Sequence, residues 1–145
     1  MRLTMKPSHA LIATLLMTLS GGAIADLVFD DPWSPLAPPG RTMAGFMTLN
    51  NTGDDPIALI DGQSPQFGRI EIHDMVNDEG VMRMRRLDQL LINPGEEVVL
   101  KSGGFHIMLM EPRGTFEAGD RIELVLLDEA GQRHATELEV RPRQR

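Results

Sequence analysis

Two stretches in the middle of the chain decide the fold: RIEIHDM at Arg69–Met75 and FHIMLME at Phe105–Glu111. In each of them, ordinary hydrophobic residues alternate with a second set, which is the period-two pattern of a β-strand with two different faces. The hydrophobic set comprises Ile70, Ile72, Phe105, Ile107 and Leu109, and the second set comprises Glu71, His73, Met75, His106, Met108 and Met110. The pattern predicts two strands that share a core face and carry their histidines and methionines on the opposite face.

The rest of the chain repeats short apolar runs between turn-forming segments such as Pro38–Gly40, Asn77–Gly80 and Asn93–Gly95. We predict nine strands, near Leu27–Phe29, Thr42–Leu49, Ile57–Asp61, Arg69–Met75, Val81–Leu87, Glu96–Lys101, Phe105–Glu111, Arg121–Leu127 and Ala135–Val140. No segment holds a 3.6-residue hydrophobic period, so little helix is expected. Many short strands at this spacing indicate an all-β domain, a sandwich or barrel of mainly antiparallel strands.

Composition excludes several classes of function. The chain has 145 residues, enough for one domain, and its 14 basic against 21 acidic residues give a net charge of −7. This balance argues against a nucleic-acid-binding protein, which needs a concentrated positive face. The chain has no cysteine, which excludes disulfides, thiolate zinc sites, iron–sulfur clusters, blue-copper sites and cysteine nucleophiles. Against this background, ten methionines are an unusual number.

The first 25 residues have the layout of a secretory signal peptide. Arg2 and Lys6 precede the apolar stretch Ala10–Leu19, and Ala23-Ile24-Ala25 forms an A-x-A cleavage site. The apolar stretch is too short to span a bilayer comfortably. We therefore predict a signal peptide over residues 1–25 and an exported domain over residues 26–145, periplasmic in a Gram-negative source and without a membrane span.

The histidines and methionines are concentrated rather than scattered. Five methionines and two histidines lie between positions 73 and 110. A single methionine on a strand is usually a flexible core filler, but two His-x-Met pairs on strands that already have a core face form a poor core. Thioether sulfur is a soft ligand that selects Cu(I), and imidazole also suits copper. The set therefore favours a copper site over packing.

Three other interpretations remain open at this point. A Zn(II) or Cu(II) site would use His73, Asp74, His106 and His134, but it would leave the methionines unexplained. A hydrolase would need an activated nucleophile, and the serines after residue 25 lie in turns outside a G-x-S-x-G context. A purely structural extracellular domain is the third interpretation, since fold alone carries no function.

The spacing of the set resembles a known family. Ten residues separate His73 from Met84, and twenty-one separate Met84 from the His106-Ile107-Met108 segment. The periplasmic copper chaperone family called PCu(A)C is marked by the same pattern of a His, ten residues, a Met, twenty-one residues and a His-x-Met. Segments Gly80–Arg85 and Gly103–Met110 are also similar to that family.

The resemblance implies a cupredoxin-like β-sandwich that is not an enzyme and binds one Cu(I) through His73, Met84, His106 and Met108. Met75 corresponds to the family's optional, auxiliary methionine, whereas Met82 and Met110 are expected bystanders. The family delivers copper to the CuA domain of cytochrome c oxidase subunit II, often alongside Sco-type thiol proteins. The alternative function is a periplasmic copper-buffering or resistance protein without a dedicated oxidase target.

Overall fold

The computed structural model describes residues 26–143; the predicted signal peptide, residues 1–25, lies outside the described residues. Ten β-strands, β1 to β10, make up the regular structure of this range, and their bounds in chain order are Leu27–Pro35, Met43–Asn51, Ile57–Gln63, Phe67–Asp78, Val81–Arg86, Leu90–Ile92, Glu97–Leu100, His106–Pro112, Arg121–Asp128 and Arg133–Arg141. Within residues 26–143, no helix has the length and apolarity that crossing a bilayer requires.

The strands join into one sheet in the order β5-β4-β8-β2-β1-β10-β9-β3-β6, with β7 paired to β2. An additional pairing of β3 with β4, where Gly62 lies opposite Ile70, closes the sheet on itself. The β1–β10 pair is parallel, whereas the neighbours that position β4, β5 and β8 are antiparallel. The predicted all-β fold of mainly antiparallel strands is therefore confirmed, as one sheet closed at the β3–β4 contact.

The interior is filled by the hydrophobic faces of the strands. Ile70 and Ile72 of β4 and Ile107 and Leu109 of β8 are buried, together with aliphatic side chains of β2, β9 and β10. Burial of apolar area is the main favourable contribution to folding, so these faces fix which side of each strand points inward. The opposite faces of β4 and β8 are thereby left to point outward.

One close approach holds the sheet closed. A Cβ atom at Gly62 would come within 2.5 Å of the Ile70 side chain, a distance that real Cβ atoms do not tolerate. Because glycine has no Cβ, β3 can reach β4 at this point. The contact supports β4 just before it reaches His73.

The strand pattern departs most from the sequence prediction at β6 and β1, and β4 extends beyond its predicted bounds at both ends. The nine predicted strands are present, but β6 was missed because its three residues, Leu90–Ile92, are too few to show an alternation. Strand β1 runs on to Pro35 rather than ending at Phe29, through a register shift between Asp30 and Trp33. Asp31 has a φ of 46° there, so the shift is a bulge that local propensity does not reveal.

A tight hairpin joins β4 to β5 and sets their register. Glu79 and Gly80 both have positive φ, 51° and 86°, as a two-residue type I′ turn requires. The Gly80 backbone N–H donates to the Asn77 side chain over 2.8 Å. This turn carries β5 back along β4 and brings Met84 directly opposite Met75.

Candidate metal centre

Strands β5, β4 and β8 lie side by side and present their histidines and methionines on one outward face. Directly opposite residues of paired strands share a face of the sheet. Three such pairs are His73 with His106, Met75 with Met84, and Glu71 with Met108. The four residues named as ligands from sequence, and Met75, are therefore neighbours in space although they extend over 36 positions of the chain.

The methionine side of this face borders a groove of about 560 Å³. Met75, Met84, His106 and Met108 line it, and Trp33 and Phe46 of β1 and β2 contribute to its other wall. His73 does not line the groove, but its ring centroid lies 5.8 Å from that of His106. The face therefore combines two adjacent imidazoles with thioethers that border open space.

His73 has one engaged and one free ring nitrogen. Its Nε2 lies 2.7 Å from Glu71 Oε2, while Nδ1 is buried and has no hydrogen-bond partner. A carboxylate can only accept, so in the neutral ring the proton sits on Nε2 and the lone pair on Nδ1. A buried, unpaired lone pair is costly, and a bound metal ion is a partner that would satisfy it.

His106 makes its hydrogen bond through the other ring nitrogen, Nδ1. Its Nδ1 lies 2.9 Å from the backbone carbonyl oxygen of Gly104 and donates to it, and the residue is 6% exposed. The lone pair of the neutral ring is therefore on Nε2. Each of the two adjacent histidines thus keeps one unprotonated nitrogen, and the hydrogen bond of the other nitrogen fixes which one it is.

Glu71 remains ionised beside the two rings. The hydrogen bond from His73 lowers the pKa of Glu71 more than burial raises it, and the nearby charges of Arg69 and Arg86 lower this pKa further. Arg69 Nε lies 3.5 Å from Glu71 Oε1, so the carboxylate joins an arginine and a histidine. At neutral pH the carboxylate is an acceptor for His73.

Exposure rises across the face from β8 to β5. His106 is buried, Met75 and Met108 are partly buried, and Met84 is 57% exposed on the edge strand. Met82 is also exposed and lies on the same face, but it sits opposite Asn77, farther along the hairpin. The site is thus closed on its imidazole side and accessible to solvent on its methionine side.

The structure does not bring together the four residues considered from sequence as a Zn(II) or Cu(II) site. Asp74 points to the other face of β4, where its neighbour across the ladder is Arg85. His134 is buried on β10 and its Nε2 is 2.8 Å from Asp128, so it has a structural contact in the interior instead of lying on the face of β4, β5 and β8. Among the residues that the structure describes, no group of three or more His, Asp or Glu side chains could hold a metal ion.

Three parts of the site were not identified as such from sequence. Strand alternation placed Glu71 on the His73 face, but alternation does not show a hydrogen bond between them. The Gly104 carbonyl and the aromatic wall of the groove had no sequence signal, because a backbone acceptor and a neighbouring strand depend on how the chain folds.

Solved structures with this fold include PCuAC domains. The copper-bound PCuAC domain from PmoF2 is 21% identical with a TM-score of 0.69, and the alignment covers 83% of this chain and 97% of that domain. The apo PCuAC domain from PmoF1 is 20% identical, with a TM-score of 0.68 and the same two coverages. The solution structure of CuI-DR1885 from Deinococcus radiodurans is 24% identical over 85% of this chain and 83% of that one, with a TM-score of 0.65.

Two relatives are similar in sequence. An uncharacterized protein, RP573, of Rickettsia prowazekii is 38% identical over 82 residues, which is 56% of this chain and 45% of that protein. A putative lipoprotein, Lxx21020, of Leifsonia xyli subsp. xyli is 30% identical over 95 residues, 65% of this chain and 57% of that protein. The matched region thus spans about half the length of these relatives.

The family comparison covers nearly all of the described chain. The family model described as putative lipoprotein LpqE-like matches residues 27–140, from the first residue of β1 to the last but one of β10. Together with the shared fold, this match confirms the resemblance to the PCu(A)C family that the residue spacing indicated. The chain belongs to the LpqE-like family and has the fold of the PCuAC domains.

Proposed function

We propose that this protein is a Cu(I) chaperone that carries one copper ion on the face formed by β4, β5 and β8. The observation that carries the proposal is the pairing of two imidazoles, each with one unprotonated nitrogen, beside thioethers on the same face. The proposed ligands are His73, Met84, His106 and Met108, with Met75 auxiliary. The copper-bound PmoF2 domain and CuI-DR1885, which share the fold, support this assignment.

The donor set favours Cu(I) over the metals that compete for histidine. Thioether sulfur is soft and neutral and binds Zn(II), Mg(II) or Ca(II) poorly, whereas Cu(I) accepts both sulfur and imidazole nitrogen. Four neutral ligands leave the bound ion with its single positive charge. The Glu71 carboxylate, hydrogen-bonded to His73, compensates part of that charge at a partly buried position.

The exposure pattern suits a carrier. A storage site is best enclosed, whereas handover needs ligands that a partner can approach. Met84 and Met75 border the open groove while the imidazoles lie deeper, so copper would pass to or from the domain on the methionine side. This arrangement requires no catalytic group, and the protein is proposed to act without catalysing a reaction.

The proposed recipient is the CuA domain of cytochrome c oxidase subunit II, with a Sco-type thiol protein as a second partner. This part rests on the PCu(A)C resemblance of the motif. Export to the periplasm through a cleaved signal peptide over residues 1–25 is part of the same proposal, and the putative lipoprotein Lxx21020 among the relatives supports export.

The experiment is an anaerobic Cu(I) titration of the exported domain against a competing chelator. We expect one tightly bound Cu(I) per chain and much weaker Zn(II) binding, because zinc gains little from thioethers. Equal binding of Zn(II) and Cu(I) would contradict the proposal. Transfer to a purified CuA domain then tests delivery: tight binding without transfer would favour the copper-buffering alternative.

A further inference from the structure

The carboxylate of Glu71 is shared between two groups on the surface of β4. Its Oε2 accepts from His73 Nε2 over 2.7 Å, and its Oε1 lies 3.5 Å from Arg69 Nε. The side chains of Glu71 and His73 are 13% and 12% exposed, so this contact is largely screened from water. A charge-assisted hydrogen bond in such a setting is shorter and stronger than an exposed one.

This contact decides which nitrogen of His73 is free. With Nε2–H donating to an acceptor that has no proton of its own, the unprotonated nitrogen is Nδ1, which is buried and has no hydrogen-bond partner. A His73 ring turned over, or held loosely, would place an N–H where a ligand lone pair is needed. The geometry therefore makes the ring orientation depend on Glu71.

We infer that Glu71 is a positioning residue for copper binding, which orients His73 so that Nδ1 is the nitrogen offered to the metal, with Arg69 steadying the carboxylate. The inference rests on the proposed function, since it assigns a role within the same site. Acceptors of this kind fix the tautomer of metal-binding histidines and raise their basicity as ligands.

The two histidines differ in how they are fixed. His106 is fixed by the Gly104 backbone carbonyl, an acceptor that a side-chain substitution does not remove. His73 depends on a side chain instead, so its ligand strength can be altered by changing one residue. Glu71 is thus the position at which copper affinity is tuned without touching a ligand.

The test compares three variants by Cu(I) competition titration. Glu71→Leu removes the acceptor, Glu71→Gln keeps an oxygen that can accept from Nε2–H, and Asp74→Asn is the matched control. Asp74 is the carboxylate next to His73 on the other face of β4. We expect Glu71→Leu to weaken Cu(I) binding about 10- to 100-fold, Glu71→Gln to weaken it less, and Asp74→Asn to match the parent. Unchanged affinity in a folded Glu71→Leu protein would overturn the inference.

A second measurement needs no copper and separates this inference from the proposed function. Imidazole ¹⁵N and ¹H NMR of the metal-free parent at neutral pH should show the His73 proton on Nε2, slowly exchanging with water and shifted downfield by its bond to Glu71. Glu71→Leu should lose that slow exchange while His106 keeps its own signal. A parent His73 protonated on Nδ1 would overturn the inference even if Glu71→Leu failed to fold. A parent that showed the bond but bound no copper would instead contradict the proposed function, and of the inference only the orientation of the His73 ring by Glu71 would remain.

Discussion

The molecule contains two histidine–carboxylate pairs that look alike in isolation. His73 Nε2 lies 2.7 Å from Glu71, and His134 Nε2 lies 2.8 Å from Asp128. In both, the ring Nδ1 is buried without a hydrogen-bond partner. The pairs differ in what surrounds them: His73 lies beside a second imidazole and a row of thioethers, whereas His134 sits opposite Leu126 in the β9–β10 ladder.

The Asp128–His134 pair has a structural role. Both side chains are almost fully buried, and Asp128 also accepts from the Gln132 backbone N–H, so the pair closes the turn between β9 and β10. Asp128 also lies opposite Leu59 of β3, which connects that turn to the neighbouring strand. A carboxylate–histidine bond alone therefore does not indicate a metal site. The metal site proposed at His73 depends on the other donors on the same face.

The largest effect is expected on the free energy of unfolding, after substitution at the Asp128–His134 pair. Asp128→Ala removes the acceptor of both His134 Nε2 and the Gln132 backbone N–H. Each buried donor left without an acceptor costs about 1–3 kcal/mol, so the free energy of unfolding should fall by about 3 kcal/mol. Denaturant unfolding measures the loss, and Cu(I) stoichiometry should stay at one per folded chain. Lost copper binding with unchanged stability would reverse the roles assigned to the two pairs.

The next effect is expected at the proposed ligands. His106→Ala should raise the Cu(I) Kd by more than about 100-fold, because a ligand contributes more than the hydrogen-bonded partners whose loss costs 10- to 100-fold. His134→Gln is the control, since it alters the other buried histidine. A competition titration measures the Cu(I) affinity of both variants. Equal losses of affinity would contradict a specific role of His106 in copper binding.

A smaller loss is expected at each methionine. Met84→Leu and Met108→Leu keep volume and apolarity, so the free energy of unfolding should change by less than about 1.5 kcal/mol. Removing a thioether should weaken Cu(I) binding by about tenfold, or 1.4 kcal/mol. Met82→Leu is the matched control, on the same strand and face as Met84. Parental Cu(I) affinity in both ligand variants would exclude a thioether role.

The smallest effect is expected on the stability that Asp128 contributes at low pH. Burial opposes ionisation of Asp128, but hydrogen bonds from His134 and from the Gln132 and Ala130 backbone outweigh it and hold the pKa of Asp128 below its ordinary value of 3.8. A lowered folded-state pKa stabilises the fold above the unfolded pKa, and that stabilisation is lost as pH falls through the folded pKa. The difference in unfolding free energy between the parent and Asp128→Asn should therefore be constant at neutral pH and shrink below about pH 4. A difference in unfolding free energy between the two proteins that grows as the pH falls would contradict this prediction.

The sequence was most informative where side-chain direction is a local property. Successive residues of a strand point to opposite faces, so the alternation in Arg69–Met75 and Phe105–Glu111 separated the buried isoleucines from the His and Met face before any neighbour was known. The two spacings around Met84 supplied the family resemblance that the comparisons confirm. The assignment of the four residues as copper ligands stays a prediction.

Neighbour relations were decided only by the tertiary structure. Sequence alternation could not show that His73 lies opposite His106, that Glu71 rather than Asp74 bonds the ring, or that His134 pairs with Asp128. Strand β6 was missed for a related reason, since its three residues are ordered by pairing with β3. Face alternation follows from the covalent geometry of each residue, whereas register and partner choice follow from packing summed over the whole closed sheet.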